Sequence, residues 1–188
     1  MVLSMLPPAL FFWFLVHPFA RFWRRLGAVW TYALVSLPTL ALMAGLFLHR
    51  DRLLVVDYGF SLWLASVAVV VLVFAGLVTA RLRRQLTTRI RVGLPELSSA
   101  DEPGRLIAEG IYARIRHPRY VEMTLWMLAY ALFANYLAVY VTFALSLPTL
   151  YLLVLLEERE LRERFGAAYE AYCRRVPRFV PRRRPRIG

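Results

Sequence analysis

The chain contains no lysine and only one cysteine, Cys173, and its 12 acidic residues face 24 basic ones, all of them arginine. A single cysteine excludes a disulfide framework. Cys173 also has no histidine near it in sequence, so it reads as a semi-buried thiol rather than a nucleophile. The three histidines, His17, His49 and His117, are far apart and lack carboxylate or cysteine company at ligand spacing, so no metal site is expected. Glycine is sparse, at 9 residues, and none falls in a phosphate-cradling motif. No internal repeat or low-complexity tract appears. What is abundant is apolar: 60% of the residues are hydrophobic and 14% aromatic, with a mean hydropathy of +0.52. Intrinsic disorder is excluded by that aromatic content. A soluble domain of this size is nearer 45–50% apolar.

Four stretches are apolar enough to enter a bilayer, for which a helix needs about 20 residues. They are Val2 to Ala20, Gly27 to Leu48, Leu53 to Ala80 with Asp57 near one end, and Val121 to Leu156. The last would make a rod of about 54 Å against a hydrocarbon core of about 30 Å. It is expected to fold as a tight helical hairpin turning near Ala134, Asn135 and Tyr136. No positive charge precedes the first run and no small-residue cleavage site follows it, so it reads as a permanent span rather than a signal peptide.

Arginine placement sets the orientation. Putting the N-terminus outside leaves 22 of the 24 arginines on the cytoplasmic side. The expected fold is therefore an all-α integral membrane protein with about five transmembrane helices, the last two a tight hairpin, plus a C-terminal amphipathic cytoplasmic helix. Residues 1–80 would hold three spans, and residues 81–188 a cytoplasmic loop, the hairpin, the closing helix and a basic tail. The expected location is a prokaryotic inner membrane, with the C-terminus on the cytoplasmic side that the arginines set. Flanking arginines answer to orientation and to anionic headgroups, and the run Arg182-Arg183-Arg184-Pro185-Arg186 reads as a clamp on the lipid surface. No zinc-finger spacing or RNA-binding aromatic signature accompanies them, which argues against nucleic acid.

Polar residues concentrate in two stretches. Leu106 to Tyr120 leads straight into the hairpin, with Pro118 suited to a first helical turn. The second begins at Glu157-Glu158, where Leu161, Phe165, Ala168, Tyr169 and Tyr172 then recur at spacings of 3 and 4. That periodicity predicts an amphipathic helix, its stripe against the membrane surface or the His117 loop. Arginine, histidine, tyrosine and carboxylate together suit a ligand that is both cationic and zwitterionic, as S-adenosylmethionine is. Arginine and histidine hold a carboxylate with charge-assisted bonds, and tyrosine faces lie well beside adenine or a sulfonium. Each feature also has a plain reading: a helix start with a headgroup-binding pair, a solvated junction of i,i+4 ion pairs, or interfacial aromatic anchors.

Gly110-Ile111-Tyr112 followed by Arg116-His117-Pro118-Arg119-Tyr120 resembles the first signature of integral-membrane methyltransferases. Glu157-Glu158, Leu161, Phe165-Gly166, Tyr169, Tyr172 and Arg175-Val176-Pro177 resemble the second. That family includes isoprenylcysteine carboxyl methyltransferase and, more distantly, phospholipid methyltransferases. The likeness runs from about Leu106 to Pro181. It implies a cytoplasmic pocket for S-adenosylmethionine and a lipid-side opening for a lipophilic acceptor. By position, Tyr112, Arg116, His117, Pro118, Arg119 and Tyr120 would line the cofactor, Leu106 and Ile107 would contact adenine, and Glu157 would hold a polar edge. Tyr169 and Tyr172 would pack the closing helix.

Two positions depart from the pattern. Leu153 stands where carboxyl-methylating members place an arginine toward the substrate. Glu122 stands where a glycine is usual. A carboxylate just inside a membrane helix is a functional candidate by default, and an amine acceptor has to lose a proton, so Glu122 is the candidate base. Exchanging a cation for an anion suits an amine or neutral acceptor. The competing readings are a non-catalytic small membrane protein and a nicotinamide-dependent membrane reductase on a related scaffold. The tandem Glu157-Glu158 favours the methyltransferase.

Overall fold

In the computed structural model the described residues are 11–12, 15–16, 20–84 and 106–181. They form seven α-helices: α1 (Ala20–Leu26), α2 (Ala28–Leu48), α3 (Arg50–Leu53), α4 (Leu62–Arg83), α5 (Pro118–Ala134), α6 (Leu137–Phe165) and α7 (Ala167–Arg175). One 3-10 turn, Gly110–Ala113, precedes α5. No named strand occurs among them. Most of the expected first span, most of the loop after Arg84 and the tail arginines from Arg182 lie outside the described residues.

Among the described residues, three helices are long and apolar enough to cross a membrane: Val29–Leu48, Leu62–Arg83 and Leu137–Phe165. Their large side chains point outward; Leu37 and Trp63 are 74% and 75% exposed. Such a surface is tolerable only where hydrocarbon replaces water, and the chain is a multi-pass membrane protein. The α5 helix, at 17 residues, is just shorter than a usual span.

The third apolar stretch differs from its expected bounds. Leu53 to Ser61 is not continuous helix, and α4 begins after Ser61, whose hydroxyl accepts from the Leu64 N–H at 3.5 Å. Hydropathy cannot see this, because Leu54, Val55 and Val56 are as apolar as the helix that follows. Their backbone is used elsewhere. The Leu137 N–H donates to the Val56 carbonyl at 3.1 Å and the Tyr58 N–H to the Asn135 carbonyl at 3.1 Å, with Asp57 and Tyr136 forming an antiparallel bridge.

That loop fastens the break between α5 and α6. Asn135 takes left-handed backbone, φ 55°, which asparagine tolerates better than most residues. Its side chain donates to the Gly59 carbonyl at 2.7 Å and accepts from the Tyr140 hydroxyl at 2.9 Å. The polar groups freed by the break are thereby satisfied inside the protein.

The α6 helix has 29 residues, about 43 Å, so it outruns a hydrocarbon core of about 30 Å. Its last turns carry Glu157 and Glu158 beyond the apolar run. The expected single closing helix is in fact two pieces: α6 continues to Phe165, Gly166 breaks it at φ 52°, and α7 follows. A one-residue break leaves 3.6-residue periodicity nearly in phase, which is why the stripe read as one helix. The stripe packs against the loop before the 3-10 turn: Tyr169, Tyr172 and Val176 are buried with Leu106, Ala108, Leu161 and Phe165 around them.

Candidate functional site

The two polar stretches meet at Glu158, a fully buried carboxylate on α6. Burying a charge is costly unless it is paired and hydrogen-bonded, and here the pairing is dense. Arg178 donates from Nε at 2.9 Å and from Nη2 at 2.8 Å. Arg162 donates at 3.2 Å, His117 Nε2 lies at 3.1 Å, and Arg116 Nη1 forms an ion pair at 3.4 Å. The pairing with Glu158 raises the Arg178 pKa further above its usual value.

His117 is the residue before Pro118, which is buried at the first position of α5. Its ring lies between two carboxylates: Nδ1 is 3.5 Å from Glu157 and Nε2 3.1 Å from Glu158. Backbone bonds clamp the same place. The Arg116 N–H donates to the Pro177 carbonyl at 2.9 Å and the His117 N–H to the Arg178 carbonyl at 3.1 Å. Phe179 then packs its ring 6.0 Å from that of His117.

Tyr112, on the 3-10 turn, forms the other wall. Burial pushes its hydroxyl above the usual phenol range, Glu157 raises it further, and Arg119 and Glu122 also lie within its electrostatic reach. Burial likewise raises Tyr169 and Tyr172, so all three remain neutral hydrogen-bonding groups. The Tyr172 hydroxyl donates to the Tyr112 carbonyl at 2.7 Å, tying α7 across the turn.

The structure thus brings Tyr112, Arg116, His117, Pro118, Arg119, Tyr120, Glu157, Tyr169 and Tyr172 into one region. Leu106 packs on α7 within it, and Ile107 is half-buried alongside. Glu122 stands apart from Glu158, on the α4 side of α5. There the Thr79 hydroxyl bonds to it, and Trp126 Nε1 donates to that hydroxyl at 3.3 Å. Glu122 lines a cavity of about 610 Å³ beside Leu72, with Trp126, Met127 and Phe133. Leu153 faces neither polar group; it is buried in an apolar cluster with Leu150 and Met127.

Sequence reasoning assigned the acidic role to Glu157 alone and missed Glu158 and Arg178. Adjacent glutamates point about 100° apart on a helix, and spacing does not say which of them meets His117. Thr79 has no sequence signal, because its partner lies 43 residues away on another helix.

The residues present fit S-adenosylmethionine. Arg116 Nε and the Tyr169 hydroxyl are buried without a hydrogen-bond partner, and buried polar atoms in that state are rare. Both can donate to a carboxylate or hydroxyl placed beside them. Glu157, half-buried next to Tyr112, can accept from an ammonium or a sugar.

The model of the phospholipid methyltransferase family matches residues 96–168. A protein-S-isoprenylcysteine O-methyltransferase of Schizosaccharomyces pombe is 34% identical over 77 residues, covering 40% of this chain and 33% of that protein. The match therefore spans about a third of that relative's length. No solved structure matches the chain. Over residues 96–168, which carry Tyr112, His117, Glu157 and Glu158, the chain is similar to the phospholipid methyltransferase family, and over 77 residues it is similar to an isoprenylcysteine O-methyltransferase.

Proposed function

We propose that the chain is an S-adenosylmethionine-dependent methyltransferase acting on a lipophilic acceptor at the cytoplasmic face of a prokaryotic inner membrane. The observation that carries this reading is the meeting of the two motifs: His117 and Glu158, 41 residues apart, share a buried hydrogen bond. Five crossings with α5 and α6 as a tight hairpin would set both motifs on one face. Residues 81–188 would then be the cofactor-binding core, after three spans in residues 1–80.

When bound, S-adenosylmethionine supplies a methyl group activated by its sulfonium, whose bonding pair leaves with sulfur. Arg116 and the Tyr169 hydroxyl would donate to its carboxylate, Glu157 would accept from its cationic or hydroxyl edge, and His117, held between Glu157 and Glu158, would line the site. Leu106 and Ile107 offer apolar and backbone contacts to adenine. Tyr112, Pro118, Arg119, Tyr120 and Tyr172 complete the walls and exclude water, so positioning supplies most of the rate. Glu122 takes the proton from an amine acceptor whose apolar body lies in the cavity between α4 and α5. Leu153, at the position where carboxyl-methylating members place an arginine, supplies no cation, which favours an amine or neutral acceptor over a carboxylate.

The test is transfer of a tritiated methyl group from S-adenosylmethionine into organic-extractable lipid by the purified chain. Incorporation lost in His117→Ala supports the reading. No incorporation by folded protein into any lipid extract, or a nicotinamide-dependent reduction instead, contradicts it.

A further inference from the structure

A second apolar space lies on the opposite face of α5 from Glu122. It has a volume of about 280 Å³ and is bounded by Val121, Thr124 and Leu125 of α5, Leu147 and Tyr151 of α6, and Phe179. Along α5 these positions alternate, at helical spacing, with Glu122, Met123, Trp126 and Met127 of the larger cavity. The two spaces are therefore different sites.

Apart from Tyr120, Thr124 and Tyr151, the groove is lined by apolar side chains. The Thr124 hydroxyl already donates to the Tyr120 carbonyl at 2.8 Å, and the Tyr151 hydroxyl accepts from Arg178 at 3.3 Å. Such a lining suits hydrocarbon. Its volume is at the small end of ligand pockets, about 300–1,000 Å³, which suits one chain. From Leu147 to Val154 the groove follows α6 for about 10 Å and ends beside Phe179.

Arg178 borders the groove, bonded to the Tyr151 hydroxyl. Arg116, Arg162 and Arg178 all surround Glu158. A guanidinium has five N–H donors, and Arg178 gives two to Glu158 and one to Tyr151. One N–H remains on each terminal nitrogen, and the side chain is 34% exposed.

We infer that the α5–α6 groove binds one acyl chain of an anionic glycerophospholipid of the surrounding leaflet, with its phosphate on the outward N–H groups of Arg178. This lipid is not the methyl acceptor, and the site stands whether or not the chain transfers methyl groups. Binding holds Arg178 on Glu158 and Phe179 on His117, so the lipid braces the clamp that joins the two motifs.

The experiment is thermal unfolding of the detergent-purified full chain in mixed micelles of phosphatidylglycerol or phosphatidylcholine, with native mass spectrometry of retained lipid. Phosphatidylglycerol should raise the midpoint by several degrees over phosphatidylcholine and be retained selectively. Leu147→Trp and, independently, Leu125→Trp fill the groove without touching Arg178; each should remove both effects while melting like the wild type in phosphatidylcholine. Two positions are used so that poor folding of one leaves the other decisive. Equal effects of the two lipids on the wild type overturn the inference. So does a phosphatidylglycerol preference that survives in the folded filled variants, since it would then arise from surface arginines alone.

Discussion

Arg178 grips Glu158 with two parallel hydrogen bonds, of 2.9 and 2.8 Å, across 20 residues of chain. This fork-on-carboxylate pairing ties the segment after α7 back onto the end of α6, and His117 enters the same pair from the other motif. Such bidentate contacts are among the stronger hydrogen bonds in proteins and demand guanidinium geometry. Arg178→Lys keeps the charge but cannot make both bonds. It should cost about 1–2 kcal/mol, seen as a lower melting midpoint in detergent, whereas an unchanged midpoint would mean that the pair carries little.

Glu158→Ala is the harsher change. It leaves Arg116 and His117 in a buried place with no carboxylate between them, and removing one partner of a buried pair costs about 3–5 kcal/mol. The expected outcome is a large loss of folded protein in detergent, measured by size-exclusion yield and thermal unfolding. Glu158→Gln should fall between the wild type and Glu158→Ala.

Tyr172→Phe deletes one hydroxyl and leaves the Tyr112 carbonyl without its 2.7 Å donor. The direct cost is about 1 kcal/mol. Because that bond holds α7 against the cofactor wall, affinity for S-adenosylmethionine should fall by about fivefold in calorimetry, with the melting midpoint lower by about 2–4 °C.

Glu122→Gln preserves a hydrogen-bonding side chain for the Thr79 hydroxyl, so α4 and α5 should stay packed. Turnover of an amine acceptor should drop by about two orders of magnitude, the usual loss when a general base is removed, while cofactor affinity stays within about twofold. Equal losses in turnover and cofactor affinity would give Glu122 a structural role instead.

Asn135→Ala leaves left-handed backbone to a residue that tolerates it less well than asparagine and breaks the bonds to Gly59 and Tyr140. The strain alone costs about 1 kcal/mol, and the lost hydrogen bonds add to it. Asn135→Gly relieves the strain but loses the same two bonds, so its melting midpoint should lie between those of wild type and Asn135→Ala.

Local chemistry made parts of this architecture legible in the sequence. Gly27 to Leu48 is apolar throughout and forms α2 almost to the residue, and Pro118 marks the start of α5 because its missing N–H costs nothing there. The convergence of Tyr112, His117 and Glu157 followed from paired motifs that make sense only together. Other features depend on tertiary partners. Val56 reads as helix until the Leu137 N–H claims its carbonyl. Gly166 hides inside an unbroken stripe. Glu158 and Arg178 find each other only once the segment after α7 folds back over His117, and Thr79 meets Glu122 only because α4 lies along α5.

The most direct test of the central claim is calorimetric titration of S-adenosylmethionine into the full chain in detergent, alongside Glu157→Gln. A cofactor site at the junction of the two motifs predicts saturable binding by the wild type, weakened by about tenfold, or 1.4 kcal/mol, in the variant. Absence of binding by folded protein, or binding that Glu157→Gln leaves untouched, would contradict it.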